Sequence, residues 1–149
     1  MDTFSIMKNI RYLITPILII ALLLSSCSYE LPADEMFKLV IDSHPTEIQI
    51  GEQVTFVARL VNLTDEDFTL AHDIPLISLF VRHVTIDAPE NTTAAAISSE
   101  IEANGFIERR LSVNPTYAGE FYLRAQTSFM IGRRLFSFYM DDVLLNITE

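Results

Sequence analysis

The run VTFVARLV at residues 54–61 decides the fold, because apolar side chains occupy every second position along it. Successive side chains of a β-strand point to opposite faces of its sheet. The even-numbered residues, from Val54 to Leu60, therefore form one apolar face, whereas the odd-numbered residues include Thr55 and Arg59. This alternation is typical of a strand with one buried face, and it predicts a β-sheet protein.

Short apolar segments continue on both sides of this run, and turn-forming residues separate them. Proline lacks a donor for the sheet, and glycine tolerates the backbone angles that turns require. The other predicted strands are 37–42, 47–50, 68–70, 76–86, 106–113, 121–129, 135–140 and 143–147. Pro45 separates the segment 37–42 from 47–50, and Pro75 separates 68–70 from 76–86. We predict seven to eight strands in total. Their number and spacing predict an all-β, antiparallel sandwich.

Two connections between the predicted strands have distinct signals. Asn104-Gly105 is a strong hairpin signal, because both residues tolerate positive φ angles. The segment 87–99 contains Pro89 and only one short alanine run at 94–96, which is too short to nucleate a helix. We therefore expect a hairpin at residues 104–105 and a long loop at 87–99.

Composition limits the class of protein and its partners. The chain has 149 residues, half of them apolar, and no tryptophan, which suits a single compact domain. Its one cysteine excludes an internal disulfide and a four-thiolate metal site. The net charge of -10 argues against nucleic acid as a partner, since binding to phosphates depends on lysine and arginine.

The N-terminal segment 1–26 is predicted to be an export signal. The basic residues Lys8 and Arg11 precede an apolar run at 13–24. A run of about twelve residues is too short to cross a bilayer, which requires roughly twenty. A charged region, an apolar region and small residues in this order are typical of a signal peptide. We expect translation to begin at Met7, which opens a complete basic region.

The end of that segment, Leu24-Ser25-Ser26-Cys27, resembles the lipobox of bacterial lipoproteins. The resemblance implies cleavage before Cys27 and attachment of a diacylglyceryl group to its thiol. It also implies that the protein is anchored by lipid to a bacterial cell membrane, on the extracytoplasmic face. Lasting attachment needs two or more acyl chains, because one chain binds only marginally. A tether at 27–36 would connect the lipid to a domain at 37–149.

The segment PTEIQIGEQVTFVARLVN at 45–62 and the segment AGEFYLRA at 118–125 resemble bacterial immunoglobulin-like modules of secreted and surface proteins. The pattern is also similar to the sandwich of the intracellular proteinase inhibitor family of bacilli. The cysteine pair and tryptophan of antibody domains are missing. The first resemblance implies a binding or scaffold module that engages a protein or an envelope component. The second implies an alternative, inhibition of a proteinase through the loop at 87–99.

The sequence contains no pattern typical of an enzyme site. The histidines are His44, His72 and His83, and no Gly-x-Ser-x-Gly elbow, His-Glu-x-x-His helix or phosphate-binding loop is present. His72 precedes Asp73, and we interpret this pair as a solvated turn rather than an oriented base. We interpret His83 as a residue on the surface of a sheet, and we predict a protein without catalytic activity and without a cofactor.

Acidic residues offer one weak candidate for a metal site. Asp65, Asp67 and Asp73 could supply oxygen ligands for calcium, although their spacing does not match an EF-hand loop. An acidic turn is more often only a soluble loop.

The C-terminal third combines arginine with aromatic residues, as interface hot spots do. All five basic residues of 101–149 are arginines, and the last predicted hairpin is rich in phenylalanine and tyrosine. The candidate partner-binding residues are Phe129, Arg133, Arg134 and Tyr139. The alternative interpretation is that the aromatic rings form core and the arginines form the solvated face opposite them.

Overall fold

The structure is a computed structural model, and it describes residues 31–42, 44–85 and 93–149. One short helix and nine strands lie within these ranges. They are α1 (Ala33–Met36), β1 (Phe37–Ile41), β2 (Glu47–Gln49), β3 (Val54–Asn62), β4 (Phe68–His83), β5 (Thr93–Ile101), β6 (Phe106–Val113), β7 (Gly119–Ile131), β8 (Arg134–Tyr139) and β9 (Val143–Thr148). No helix in these ranges has the length and apolar character needed to span a bilayer. The predicted start at Met7 and the lipidation site at Cys27 lie outside the described residues.

The strands form two sheets that pack face to face. The three-stranded sheet has the order β1-β3-β6, and all its pairs are antiparallel. The six-stranded sheet has the order β2-β9-β7-β4-β5, and β8 pairs with the remaining part of β7. A short parallel pair of β2 with β9 interrupts the antiparallel pattern. The prediction of an all-β immunoglobulin-like sandwich is confirmed, with nine described strands instead of seven to eight.

The run at 54–61 lies in β3, at the centre of the three-stranded sheet. Its even-numbered side chains are buried, from 0% exposure at Leu60 to 8% at Val54. The odd-numbered side chains are half-buried or exposed. Because each fully buried large apolar side chain contributes about 1.5–3 kcal/mol, this one face supplies much of the stability that the three-stranded sheet needs.

A cluster of phenylalanine rings joins the two sheets at one end of the sandwich. Phe37 in β1 lies edge-on to Phe129 and Phe136 of the six-stranded sheet, with ring centroids 5.2 and 5.4 Å away. Phe68 in β4 packs against the Phe37 ring, with the ring centroids 5.4 Å apart. The rings of Phe129 and Phe136 stack on each other at 5.3 Å. The three edge-to-face pairs of Phe37 add about 0.5–1.5 kcal/mol each beyond the stabilisation from their buried area.

The strand β4 is continuous, whereas the sequence predicts two strands separated at Pro75. The peptide bond from Ile74 to Pro75 is cis, and the register of β4 against β7 shifts between His72 and Ile77. β7 pairs with β4 on both sides of this irregularity. Pro75 has no N–H to donate, and the pairing with β7 resumes beyond it in a shifted register, as at a β-bulge.

The prediction of a long loop at 87–99 is wrong for residues 93–99. Thr93–Ile101 forms β5, which pairs with the first part of β4. Residues 86–92 lie outside the described residues. The predicted hairpin at Asn104-Gly105 is also wrong, although Asn104 does adopt a positive φ of 54°. The turn joins β5 in one sheet to β6 in the other, so its two flanking strands do not pair.

The folded domain includes part of the predicted tether at 27–36. The compact unit is Pro32–Glu149. Ala33 and Met36 of α1 pack against the core, and the Met36 carbonyl accepts a hydrogen bond from the N–H of Leu63 at 2.8 Å. The last turn of the tether is thus a structured edge of the sandwich.

A buried asparagine connects two loops at the same end of the sandwich. The Asn62 side chain donates hydrogen bonds to the carbonyl oxygens of Glu66 and Glu102, at 2.7 and 2.9 Å. Its oxygen accepts from the backbone N–H and the hydroxyl of Thr64, at 3.1 and 2.9 Å. Both donors and both acceptor positions of the amide are therefore used, which compensates for burial of a residue that is only 1% exposed.

Replacement of this asparagine is expected to destabilise the protein. Asn62→Ala removes four hydrogen bonds at a buried site and leaves the backbone N–H of Thr64 without its partner, so we expect the free energy of unfolding to fall by about 2–4 kcal/mol. Urea denaturation measures this loss. Asn146→Ala removes an exposed asparagine from β9 and should change stability by less than about 0.5 kcal/mol. Equal losses in the two variants would contradict the role of Asn62.

Candidate functional site

The hairpin of β7 and β8 carries the candidate partner-binding residues. Its turn consists of Gly132 and Arg133, and pairing continues along the whole of β8. Gly132 has a φ of +59°, which glycine adopts without strain. The tight turn holds both strands in one register, so that alternate side chains along β8 point in opposite directions.

The two faces of this hairpin have opposite surroundings. Phe129 and Phe136 face the core, and each is 1% exposed. On the other face Leu135 is 65% exposed and Tyr139 is 73% exposed. Met130, directly opposite Leu135, is 41% exposed. We call this exposed surface the hairpin face, and it consists of Ser128, Met130, Leu135, Ser137 and Tyr139.

The structure separates the four candidate residues into two groups. Arg133 and Tyr139 are exposed, at the turn and on the hairpin face respectively. Arg134 is half-buried, and its guanidinium lies 4.7 Å from the ring centre of Phe136. Phe129 is a core residue, because its ring packs within the phenylalanine cluster. The assignment of Phe129 to a partner surface is therefore wrong. For this residue the alternative interpretation, that the aromatic rings form core, is correct.

The hairpin face continues onto the neighbouring strand. Ala71 of β4 lies directly opposite Met130, so that small and apolar side chains form a row across three strands. A shallow cavity of 260 Å³ lies along this row, and its lining includes Leu135 and Ala96. The row itself contains no charged side chain, and the exposed Asp73 of β4 lines the same cavity beside it. Covering such a surface with a partner requires little desolvation of charged groups, because its only charged neighbour in the cavity lining is Asp73.

An ion pair holds the end of β8 in place. The guanidinium of Arg124 donates two hydrogen bonds to the carboxylate of Asp142, in the link from β8 to β9. These bonds hold the pKa of Asp142 below its ordinary value of 3.8, and the nearby charge of Arg82 adds to the effect. Because the pKa is lowered in the folded protein, the pair stabilises the fold above that value and is lost as the pH falls below it.

Other arginines of the C-terminal third also bind within the protein. Glu108 accepts hydrogen bonds from Arg110 at 2.6 Å and from Arg59 at 2.9 Å, and both lower its pKa. Arg59 also binds Asp42 across the three-stranded sheet. Arg133, by contrast, makes no hydrogen bond or ion pair with the described residues. It is thus a guanidinium of the hairpin that is available to a partner.

The three histidines of the described residues have separate local contacts. His72 is buried within β4, so its assignment to a solvated turn is wrong. Its Nδ1 donates to the backbone carbonyl of Asp73 at 2.7 Å, and its Nε2 forms a hydrogen bond with the Ser99 hydroxyl at 2.8 Å. His83 is half-buried and lies edge-on to Phe121, with ring centres 5.2 Å apart. The hydrogen-bond partners of the described histidines are backbone groups and hydroxyl groups, and the Asp-His pair of a catalytic triad is not among them.

The structure does not assemble the candidate calcium ligands. Asp67 accepts a hydrogen bond from the N–H of Ala103 at 2.7 Å and thereby connects two loops. Asp65 is exposed in the same loop, whereas Asp73 belongs to β4. Among the described residues, no three histidine, cysteine, aspartate or glutamate side chains are grouped so that they could hold a metal ion. Of the acidic side chains at 65–67, that of Asp67 has a structural role in the described residues.

An apolar cavity of 320 Å³ lies at the opposite end of the sandwich. Its lining includes Val81, Leu111, Tyr117, Phe121 and Ile147, and it contains no charged residue. Tyr117 is 56% exposed and packs against Phe121, with ring centres 5.5 Å apart. The cavity is a space between the sheets where β5 does not extend along β4.

Sequence reasoning missed Leu135, Ser137 and Met130 as surface residues. The signal was present, because RLFSFY at 134–139 alternates between two classes of position. Phenylalanine occupies positions 136 and 138, so the odd-numbered residues must face the other way. Reading the hairpin by its period of two, rather than by its composition, would have separated core from surface.

Comparison with known proteins finds similarity at the level of fold. No protein-family model matches this sequence, and no curated protein matches it. A CARDB domain from Pyrococcus furiosus, solved with di-metal ions, is 9% identical over 76% of this chain and 90% of its own, with a TM-score of 0.46. A PapD-like domain of human CEP192 is 14% identical over 82% of this chain and 92% of its own, with a TM-score of 0.46.

A beta-glucosidase from Listeria innocua, solved with glucose, is 13% identical over 76% of this chain, with a TM-score of 0.44. This chain spans only 16% of the length of that enzyme. At such identities and scores, these similarities concern the sandwich fold alone.

Proposed function

We propose that this protein is a lipid-anchored binding or scaffold module without catalytic activity, which engages a protein through the hairpin face and Arg133. The observation that carries the proposal is the exposure of Leu135 and Tyr139 on an uncharged surface. Tyrosine and arginine are enriched among the residues that carry most of the binding energy of interfaces, and an adjacent arginine adds directional hydrogen bonds.

The anchor is proposed from the sequence around Cys27. An apolar run, small residues and the single cysteine of the chain occur together in the order that the lipobox requires. The lipid would hold the sandwich on the extracytoplasmic face of a bacterial cell membrane. Since the folded unit begins at Pro32, only a few residues separate it from the proposed lipid, and the hairpin would act close to the membrane surface.

The alternative function, inhibition of a proteinase through the segment 87–99, has less support. Residues 93–99 belong to β5 and pair with β4, so they do not form a protruding loop. An inhibitory segment would have to lie within 86–92, outside the described residues. The hairpin face is supported by described contacts and exposures, and we therefore favour it.

Lipid attachment has a direct test. Cells that express the full chain are labelled with a palmitate analogue, and the label is expected on the wild-type protein but not on Cys27→Ala. The same substitution should move the protein from the membrane fraction to the soluble fraction, because the acyl chains supply the attachment. Label that persists on Cys27→Ala would contradict the anchor.

Partner binding has a second test with a matched control. Leu135→Ser with Tyr139→Ser should reduce capture of the partner in intact, crosslinked cells by at least roughly tenfold, as expected for hot-spot residues. Leu144→Ser is the control, because Leu144 is 48% exposed on another strand of the same sheet. Thermal unfolding should be almost unchanged in both variants, since each altered residue is exposed. Undiminished capture by the double variant would contradict the proposed surface.

A further inference from the structure

The edge of β8 lacks the features that usually protect an edge strand. β8 pairs with β7 on one side, and no other described strand pairs with it. The charged residue of β8 is Arg134 at its first position, whose guanidinium lies over the Phe136 ring, and residues 135–139 include neither a charged side chain nor proline. The edge strands β1, β5 and β6, in contrast, carry Lys38, Glu100 and Arg109. An uncharged, exposed edge is a template for pairing with another strand.

The backbone groups on this edge occur at known positions. Met140 donates its N–H to the carbonyl of Ala125 in β7, at 3.1 Å. Backbone groups of an extended strand point to alternate sides, so residues 136 and 138 also bond to β7. The N–H and C=O groups of Leu135, Ser137 and Tyr139 therefore point away from the sheet. These are the groups that an added strand would bind.

A second copy of β8 fits this edge in one antiparallel register. With Ser137 opposite Ser137 of the other copy, Leu135 lies opposite Tyr139, and all three residues present outward-pointing backbone groups. Exposed side chains then meet exposed side chains, because directly opposite residues in antiparallel strands share one face. The two hairpin faces join into one continuous surface across the new pair.

Charges flanking β8 are complementary in the same register. Arg133 of one copy lies opposite Asp141 of the other, and the two-fold symmetry repeats this contact. Both residues are exposed, and neither makes a hydrogen bond or ion pair with the described residues. We infer that two copies of this chain pair through β8, antiparallel about Ser137, with Arg133 and Asp141 forming an ion pair at each end.

The pair is small, because each copy contributes one short strand edge. Its affinity in dilute solution is therefore weak, and the pair forms where copies are concentrated. The inference rests on the proposed function in one respect, since anchoring of both copies to one membrane raises their effective concentration. Pairing leaves the hairpin face accessible and doubles the number of such faces in one assembly.

A disulfide trap tests the register in intact cells that express the full chain. Residues opposite each other in a hydrogen-bonded antiparallel pair have Cα atoms about 5.5 Å apart, within the range that a disulfide bridges. Under mild oxidation, Ser137→Cys should form a dimer at least about tenfold faster than Ser112→Cys, because pairing raises the effective thiol concentration. Ser112 is a matched control, since it is exposed on an edge strand of the other sheet and its hydroxyl also bonds a neighbouring hydroxyl. The wild-type chain shows the contribution of Cys27.

Charge reversal provides a second readout in the Ser137→Cys background. Arg133→Asp or Asp141→Arg alone places like charges at both ends of the pair, and each should reduce dimer formation roughly tenfold. Coexpression of the two variants restores opposite charges at both ends, so mixed dimers should recover while each variant still fails to pair with itself. Equal trapping of Ser137→Cys and Ser112→Cys, or no recovery in the mixture, would overturn the inference. If palmitate labelling and partner capture persist in that case, self-pairing fails and the proposed function stands.

Discussion

Packing of Phe37 against Phe129 and Phe136 determines where the rest of the hairpin can lie. Phe37 enters from the three-stranded sheet, while the other two rings belong to paired strands of the six-stranded sheet. Each buried ring contributes about 1.5–3 kcal/mol, so the cluster holds the hairpin in the core more strongly than any surface contact could. The chain has no disulfide to perform this role, since its single cysteine precedes the folded domain.

The functional surface follows from this core contact. Once Phe136 is buried, the alternation of the strand directs Leu135 and Tyr139 to the opposite face. The tight turn at Gly132 places β8 directly beside β7. No other described strand pairs with β8, so its outer edge is unpaired among them. Core packing, hairpin face and pairing edge are thus three aspects of one six-residue strand.

Strands with a strong alternation of apolar and polar residues could be predicted from the sequence. Elements whose conformation depends on tertiary contacts were predicted wrongly. The alternating run at 54–61 was predicted correctly because it has one apolar face, and the strand at 106–113 was also predicted correctly. β5 was missed because alanine and serine carry little periodic signal, and its stability comes from pairing with β4. The turn at Asn104 has the predicted local geometry, but Asn62 directs it across the sheets through the Glu102 carbonyl. For the candidate site, composition pointed to the hairpin. Only the exposed fractions of the side chains show that Phe129 is a core residue and that Leu135 lies on the surface.

Residue-resolved amide hydrogen exchange of the dilute protein tests the central claim most directly. Exchange reports whether each N–H is hydrogen bonded in a stable element. The amides of Phe136 and Phe138 should exchange slowly, because they bond to β7, while those of Leu135, Ser137 and Tyr139 should exchange fast and become protected only at high protein concentration. Equal protection of all five amides at low concentration would show that another segment covers the edge. Fast exchange at Phe136 and Phe138 would show that the phenylalanine cluster does not hold the hairpin in the sheet.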